Sequence, residues 1–130
     1  HEMVPPVPSL FTFNLAQPLA GLQGVALPQA RVRVAGPSQA ETVEATGPLL
    51  ITHWGLSGPA VLRASAWGAR ILAASGYSFT ANVAWLGEMP EAALREAFAQ
   101  IRAQRGARLL ANERPAPAAL PRRLWEALLA

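Results

Sequence analysis

Thr52, His53 and Ser57 stand close together in the run Gly-Pro-Leu-Leu-Ile-Thr-His-Trp-Gly-Leu-Ser-Gly-Pro, residues 47–59. Each side chain can give or accept a hydrogen bond, and histidine is the residue type whose charge changes near neutrality. His53 is the only internal histidine, and so the candidate general acid or base, or the donor to a bound ring or carbonyl. The structural alternative is that His53 bonds a backbone carbonyl and only shapes the turn. Trp54, Trp67, Trp85 and Trp125 could line an aromatic pocket, though tryptophans at strand and helix positions are more often core; Trp54, inside the same turn, offers a ring that can stack on a planar ligand. A serine hydrolase would need Ser57 or Ser65 with His53 and a glutamate, since aspartate is absent. The Gly-Leu-Ser-Gly spacing is not that of a nucleophile elbow, which argues against this reaction.

The elements that must position these residues are legible around them. Leu49 to Thr52 reads as an apolar strand that ends in a glycine-punctuated turn and hands directly into a helix. Ser57 or Gly58 is the expected cap, and Pro59 suits the first helical position, where no N–H is needed. Free N–H groups at such a helix start favour an oxyanion, a carbonyl or an electron-rich ring, or bond only their own backbone.

Upstream, Ser9 to Leu15 reads as a short strand with Phe11 and Phe13 on one face, and 17–23 as a loop. Ala30-Arg31-Val32-Arg33-Val34 alternates strictly, with both arginines on the wet face. After the Gly36-Pro37-Ser38 turn, Glu41 to Ala45 is the returning strand with Val43 inward, and Gly47-Pro48 is a second turn. Pro59 to about Ala69 is expected to be a largely buried helix, Trp67 included, with Arg70 complementing its C-terminal end. Tyr77 to Trp85 alternates over nine residues and gives the clearest strand.

From there the period changes to 3.6. Pro90 opens a helix with Leu94, Ala97, Phe98 and Ile101 as its stripe, and Gly106 closes it. Arg108 to Asn112 is a further helical turn, Pro115 to Ala119 a loop, and Arg122 to Ala130 the start of a last helix. Strands followed by helices give an α+β fold. The expected architecture is a small antiparallel β-sheet or barrel with one buried helix over about 59–70, then a helical subdomain. The boundaries are 1–88 for the β-rich part and 89–130 for the helical part, which stops in mid-pattern as if truncated.

Composition narrows the function classes. Of 130 residues, 52% are hydrophobic and only 15% charged, so some faces are expected to pack against something else. A membrane does not fit: prolines break the uncharged stretch from Met3 to Ala30, and glycines and prolines break that from Ala45 to Leu62. The net charge of +3 comes from arginine alone, with no lysine and every acid a glutamate. Arg102, Arg105 and Arg108 can follow one helix flank and hold phosphates, but glutamates are interleaved through that half, so nucleic acid is not expected. No cysteine is present, which excludes disulfides and thiolate chemistry and fits a cytoplasmic protein. His1, Glu2 and His53 are too few and too scattered for a metal.

Two stretches together resemble a known family: Pro5-Pro6-Val7-Pro8-Ser9-Leu10, and Thr52-His53-Trp54-Gly55-Leu56-Ser57-Gly58-Pro59-Ala60-Val61-Leu62. They are similar to the bacterial HI0933-like flavoproteins, also described as BaiN-like or aminoacetone-oxidase-like FAD-dependent oxidoreductases. The likeness is dense over residues 1 to about 72. It is looser over 107–130, where Leu109-Leu110 and Leu120-Pro121-Arg122-Arg123-Leu124 echo a helical stretch.

The resemblance implies that this chain is the insert domain of a longer flavoprotein, whose FAD-binding domain is built from segments on both sides. It implies flavin or substrate contacts from Thr52, His53, Trp54, Gly55, Ser57 and Gly58, and the rest of the parent as partner, with a small-molecule substrate. No two glycines are separated by a single residue, so the dinucleotide fingerprint is absent, and FAD is not expected to bind the fragment alone. The fragment is then not catalytic by itself, while the parent transfers hydride at its flavin. The alternative, of another class, is an autonomous protein-binding module that docks through its apolar surface.

Overall fold

A computed structural model describes residues 2–38, 40–105 and 120–130. Among these residues, five antiparallel strands form one sheet curled into a half-barrel, joined by four helices, an α+β architecture. The strands are β1 (Phe13–Asn14), β2 (Ala26–Ala35), β3 (Thr42–Ile51), β4 (Gly55–Ser57) and β5 (Ala81–Ala84), arranged β1-β4-β3-β2-β5. The helices are α1 (Pro59–Trp67), α2 (Ala69–Ala74), α3 (Glu91–Arg105) and α4 (Arg122–Leu129). The Gly106 helix stop, the 108–112 helical turn and the 115–119 loop lie outside the described residues.

The β2–β3 hairpin is the frame. Val32, Val34, Ala45, Leu49 and Ile51 point into the core, while Arg33 and Glu44 lie opposite one another on the wet face. This is the alternation expected around Arg31 and Arg33.

The expected turn at Gly47-Pro48 does not form; β3 runs through it without a break. The register slips there, so that Pro28 and Gln29 of β2 oppose Pro48 alone. A bulge is where a proline without an N–H is tolerated inside a sheet, and two prolines share this one. Gly47, with φ +154, supplies the conformation that lets the chain stay extended beside it.

The strand expected over 77–85 is paired only from Ala81 to Ala84. Ala81 faces Val34, so the next partner upstream would be Ala35, where β2 ends. With no ladder left to join, the chain turns, and Tyr77 takes φ 60. The early strand is likewise short, since Leu10 has φ 57 and only Phe13 and Asn14 pair.

The first helix packs on β3 and β2 through Ala60, Val61, Ala64 and Ser65, a stripe of small residues that lets its axis lie close to the sheet. Trp67 falls outside that stripe and is 65% exposed, not buried as expected. A bend at Gly68 separates α1 from α2, so Arg70 lies in the first turn of α2 rather than at a C-terminus. Its guanidinium instead reaches the Pro5 carbonyl at 3.4 Å.

Ser65 is wholly buried and ties the entry segment to α1. Its hydroxyl donates to the Leu62 carbonyl at 2.8 Å and accepts the Phe11 N–H at 3.0 Å. Ser65→Ala leaves that N–H without its partner, and is expected to cost about 1–2 kcal/mol in urea denaturation.

In α3, Leu94, Ala97, Phe98 and Ile101 form the less exposed stripe, as their spacing predicts. Phe98 stacks on Trp125 of α4 with centroids 5.8 Å apart. Leu120, Leu124 and Trp125 belong to the same hydrophobic cluster as the sheet. Arg123 holds α4 to the 19–25 loop through the Gly21 and Gln23 carbonyls.

Candidate functional site: the turn between β3 and β4

The run that carries the sequence signal folds as a hairpin before it reaches the helix. Residues 52–54 turn the chain, Gly55–Ser57 pairs back as β4, and only then does Pro59 open α1. The strand therefore does not pass directly into the helix. A three-residue strand that begins with a glycine and is followed by another has no pattern of its own. It exists because β1, some forty positions earlier, pairs with it: Phe13 lies opposite Leu56 and Asn14 opposite Gly55.

Thr52 closes the turn. Its N–H donates to the Gly55 carbonyl at 2.8 Å, and its Oγ1 accepts the N–H groups of Gly55 at 3.0 Å and Trp54 at 3.4 Å. This is the local side-chain-to-backbone bonding that threonine favours in turns. Gly55 is buried, with β1 passing directly over its α-carbon. Gly58 takes the N-cap position with φ 96, and Ser57 makes no capping hydrogen bond. Pro59 stands at the first turn as expected.

His53 and Trp54 are different. Both are exposed at the tip, Trp54 at 71%, and their rings meet edge to face with centroids 5.9 Å apart. Among the described residues, no hydrogen bond in the turn uses the His53 side chain, and the Trp54 ring takes no part in the core cluster. Thr52, Gly55, Gly58 and Pro59 thus have local structural duties, whereas His53 and Trp54 present their chemistry outward.

The β4-to-α1 entry does not fit the pyrophosphate of the dinucleotide that the resemblance implies. The β4-to-α1 entry is closed by the protein's own sheet, with the Gly58 α-carbon against the Pro48 carbonyl and the α-carbon of Leu49. Ala60 and Val61, which follow it, are wholly buried. No cradle of open N–H groups for a pyrophosphate remains there.

Other chemistries find little support. Among the described residues, no three His, Cys, Asp or Glu side chains come together, and no helix is long and apolar enough to cross a membrane. Of the three arginines on the α3 flank, Arg102 is exposed, the side chain of Arg105 is not described, and Arg108 lies outside the described residues. Nearby, Arg95 is paired with Glu91 at 2.6 Å and Arg122 with Glu126 at 2.7 Å, so neither offers an unopposed charge.

A second feature escaped the sequence reading. The edges β1 and β5 do not pair, and a cleft of about 590 Å³ opens between them. Phe13, Leu19, Phe79, Val83 and Trp85 are among its walls. The signal lies in the alternating aromatic residues over 77–85, of which Trp85 is also a candidate pocket residue by sequence, but the alternation does not tell which strands are edges. The cleft adjoins the turn, because its lining residue Leu15 donates its N–H to the Trp54 carbonyl at 2.9 Å.

Compared with known proteins, the chain matches the sequence model of the family described as HI0933-like protein barrel and H2TH domain over residues 7–130. A search of curated proteins found no match.

Proposed function

The chain belongs to the HI0933-like barrel and H2TH domain family, and on that premise we propose that it is the substrate-side insert of an FAD-dependent oxidoreductase. The β-rich part, 1–88, carries the working surface, and 89–130 is a helical subdomain beside it. The chain is not catalytic by itself. Its partner is the FAD-binding remainder of the parent, which holds the flavin and binds a small-molecule substrate. Hydride transfer is chemistry the flavin supplies, and a cytoplasmic location suits it.

The observation that carries this reading is the division of labour within residues 52–59. The residues that shape the turn are inward or backbone-bound, and the two rings at its tip face out, uncovered by any of the described residues. In the parent, the segment Thr52 to Gly58 forms one wall of the flavin or substrate space. His53 gives the polar contact and Trp54 the stacking surface. Thr52, Gly55, Ser57 and Gly58 hold that wall in place.

In the full-length parent, His53→Ala is expected to lower kcat/KM at least tenfold, about 1.4 kcal/mol of lost transition-state contact, with the thermal midpoint unchanged. Unchanged turnover and unchanged flavin spectrum would make the turn purely structural. A free-standing docking module would instead show these substitutions weakening a protein partner, with no flavin enzyme affected.

A further inference from the structure

We infer that the cleft between β1 and β5 is a binding site for an uncharged, planar, apolar small molecule. This goes beyond the turn and needs no flavin.

The cleft exists because the half-barrel does not close. Strand β1 has two residues and β5 four, and no ladder joins them. Aromatic side chains span the seam instead: Phe13 meets Phe79 edge to face at 4.9 Å, and Phe11 meets Tyr77 in the same way at 6.0 Å. Edge-to-face pairs leave ring faces available to a third ring. The inward side of the sheet supplies the floor, since Ala81 and Val83 lie on the same face as Val34 and Val32, their register partners.

Backbone geometry holds the seam in this form. Leu10 and Tyr77, one before each edge strand, are the non-glycine residues with positive φ among those described, at 57 and 60. Such conformations cost about 1 kcal/mol or more each and persist where the surrounding structure enforces them. Here they set the approach of Phe11 and the Tyr77 ring to the opening.

The lining selects the ligand. About 590 Å³ falls in the range of small-molecule pockets, and every residue lining the cleft is uncharged. An ionic group placed there would lose water without gaining a counter-ion, so the ligand is neutral. Asn14, Ser78, the Tyr77 hydroxyl and the Trp85 indole N–H supply the polar side-chain groups among the lining residues. A peptide strand is a poor occupant, because edges of two and four residues would leave most of its N–H and C=O groups unpaired.

The test titrates this chain with N-phenyl-1-naphthylamine, a neutral probe whose emission rises in an apolar site. The expected result is saturable binding of one probe per chain, at least tenfold tighter than the anionic analogue 8-anilinonaphthalene-1-sulfonate. Val83→Trp fills the floor, and Leu19→Lys brings an ammonium to the rim from a half-buried loop position. Each is expected to weaken the probe at least tenfold, with circular dichroism confirming that at least one of the two is folded. Absence of saturable binding would overturn the assignment, as would full affinity in a folded variant. So would a signal that follows self-association of the chain, which would mean a second copy occupies the seam.

Discussion

Gly55→Ala is expected to detach β1 from the sheet and to lower the unfolding free energy by roughly 3 kcal/mol or more. Gly55 does not have a positive φ, so conformational freedom is not what the position requires. The requirement is steric. A Cβ at residue 55 would stand 2.0 Å from the Phe13 carbonyl oxygen and 2.9 Å from the Leu15 nitrogen, both backbone atoms that cannot rotate away. Relief demands that β1 move. The pairings Phe13 with Leu56 and Asn14 with Gly55 are then lost, together with the hydrogen bond from Leu15 to Trp54. Phe13, buried in the core, would be pulled out with them. Urea denaturation followed by tryptophan fluorescence measures the loss, and a midpoint within error of the parent sequence would contradict the geometry. The same variant should lose the cleft between β1 and β5, because β1 forms one of its walls.

Gly58→Ala is the second large effect, from a different cause. Its φ of 96 with ψ 169 lies where essentially only glycine is at ease, a strain of about 1–3 kcal/mol for any other residue. A Cβ would also stand 2.9 Å from the Pro48 carbonyl and 3.1 Å from the α-carbon of Leu49. The two terms together predict a loss of about 2–4 kcal/mol and a displaced start of α1. The helix should remain, since Ala60, Val61 and Ala64 keep it on the sheet. Far-UV circular dichroism close to that of the parent sequence, with a clearly lower denaturation midpoint, is the expected pair of results. An unchanged midpoint would show that the β4-to-α1 corner relaxes freely.

These two glycines show what was legible in the sequence and what was not. The run 47–59 stood out because of its spacing, and the glycines read as freedom for a turn. Half of that holds: Gly58 needs its unusual φ, but Gly55 is there to let another strand pass. That strand is β1, distant in sequence, and no local pattern announces a contact of that kind. The same limit explains β4 itself, which is too short to show a period.

Where one element's own residues decide the outcome, periodicity was a sound guide. Arg31-Val32-Arg33-Val34 faces as it alternates, and Leu94, Ala97, Phe98 and Ile101 line one side of α3. Where the outcome depends on a neighbour, it failed. Gly47-Pro48 reads as a turn by composition, yet β2 offers a bulge with its own proline opposite, and the strand continues. Tyr77 to Trp85 alternates throughout, yet β2 ends at Ala35 and the pairing ends with it. Trp67 reads as buried because it is large and apolar, but the stripe set by Ala60, Val61, Ala64 and Ser65 does not include it.

The candidate site followed the same division. That residues 52–59 were the segment of interest could be read from spacing and resemblance. Which of them face outward could not, because Thr52 and His53 are equally polar neighbours. Only the hydrogen bonds separate a threonine that closes the turn from a histidine that stands clear of it.

The central claim is that the exposed tip of this turn faces the flavin or its substrate in the parent. It is tested most directly by the visible spectrum of the bound flavin, recorded with turnover, in the full-length protein carrying Trp54→Ala. Trp54 has no place in the core, so this chain's own unfolding free energy should stay within about 0.5 kcal/mol of its starting value. The account predicts shifted flavin absorption bands, or an at least tenfold fall in kcat/KM, against that unchanged stability. A flavin spectrum and a turnover both identical to those of the unsubstituted protein would contradict it.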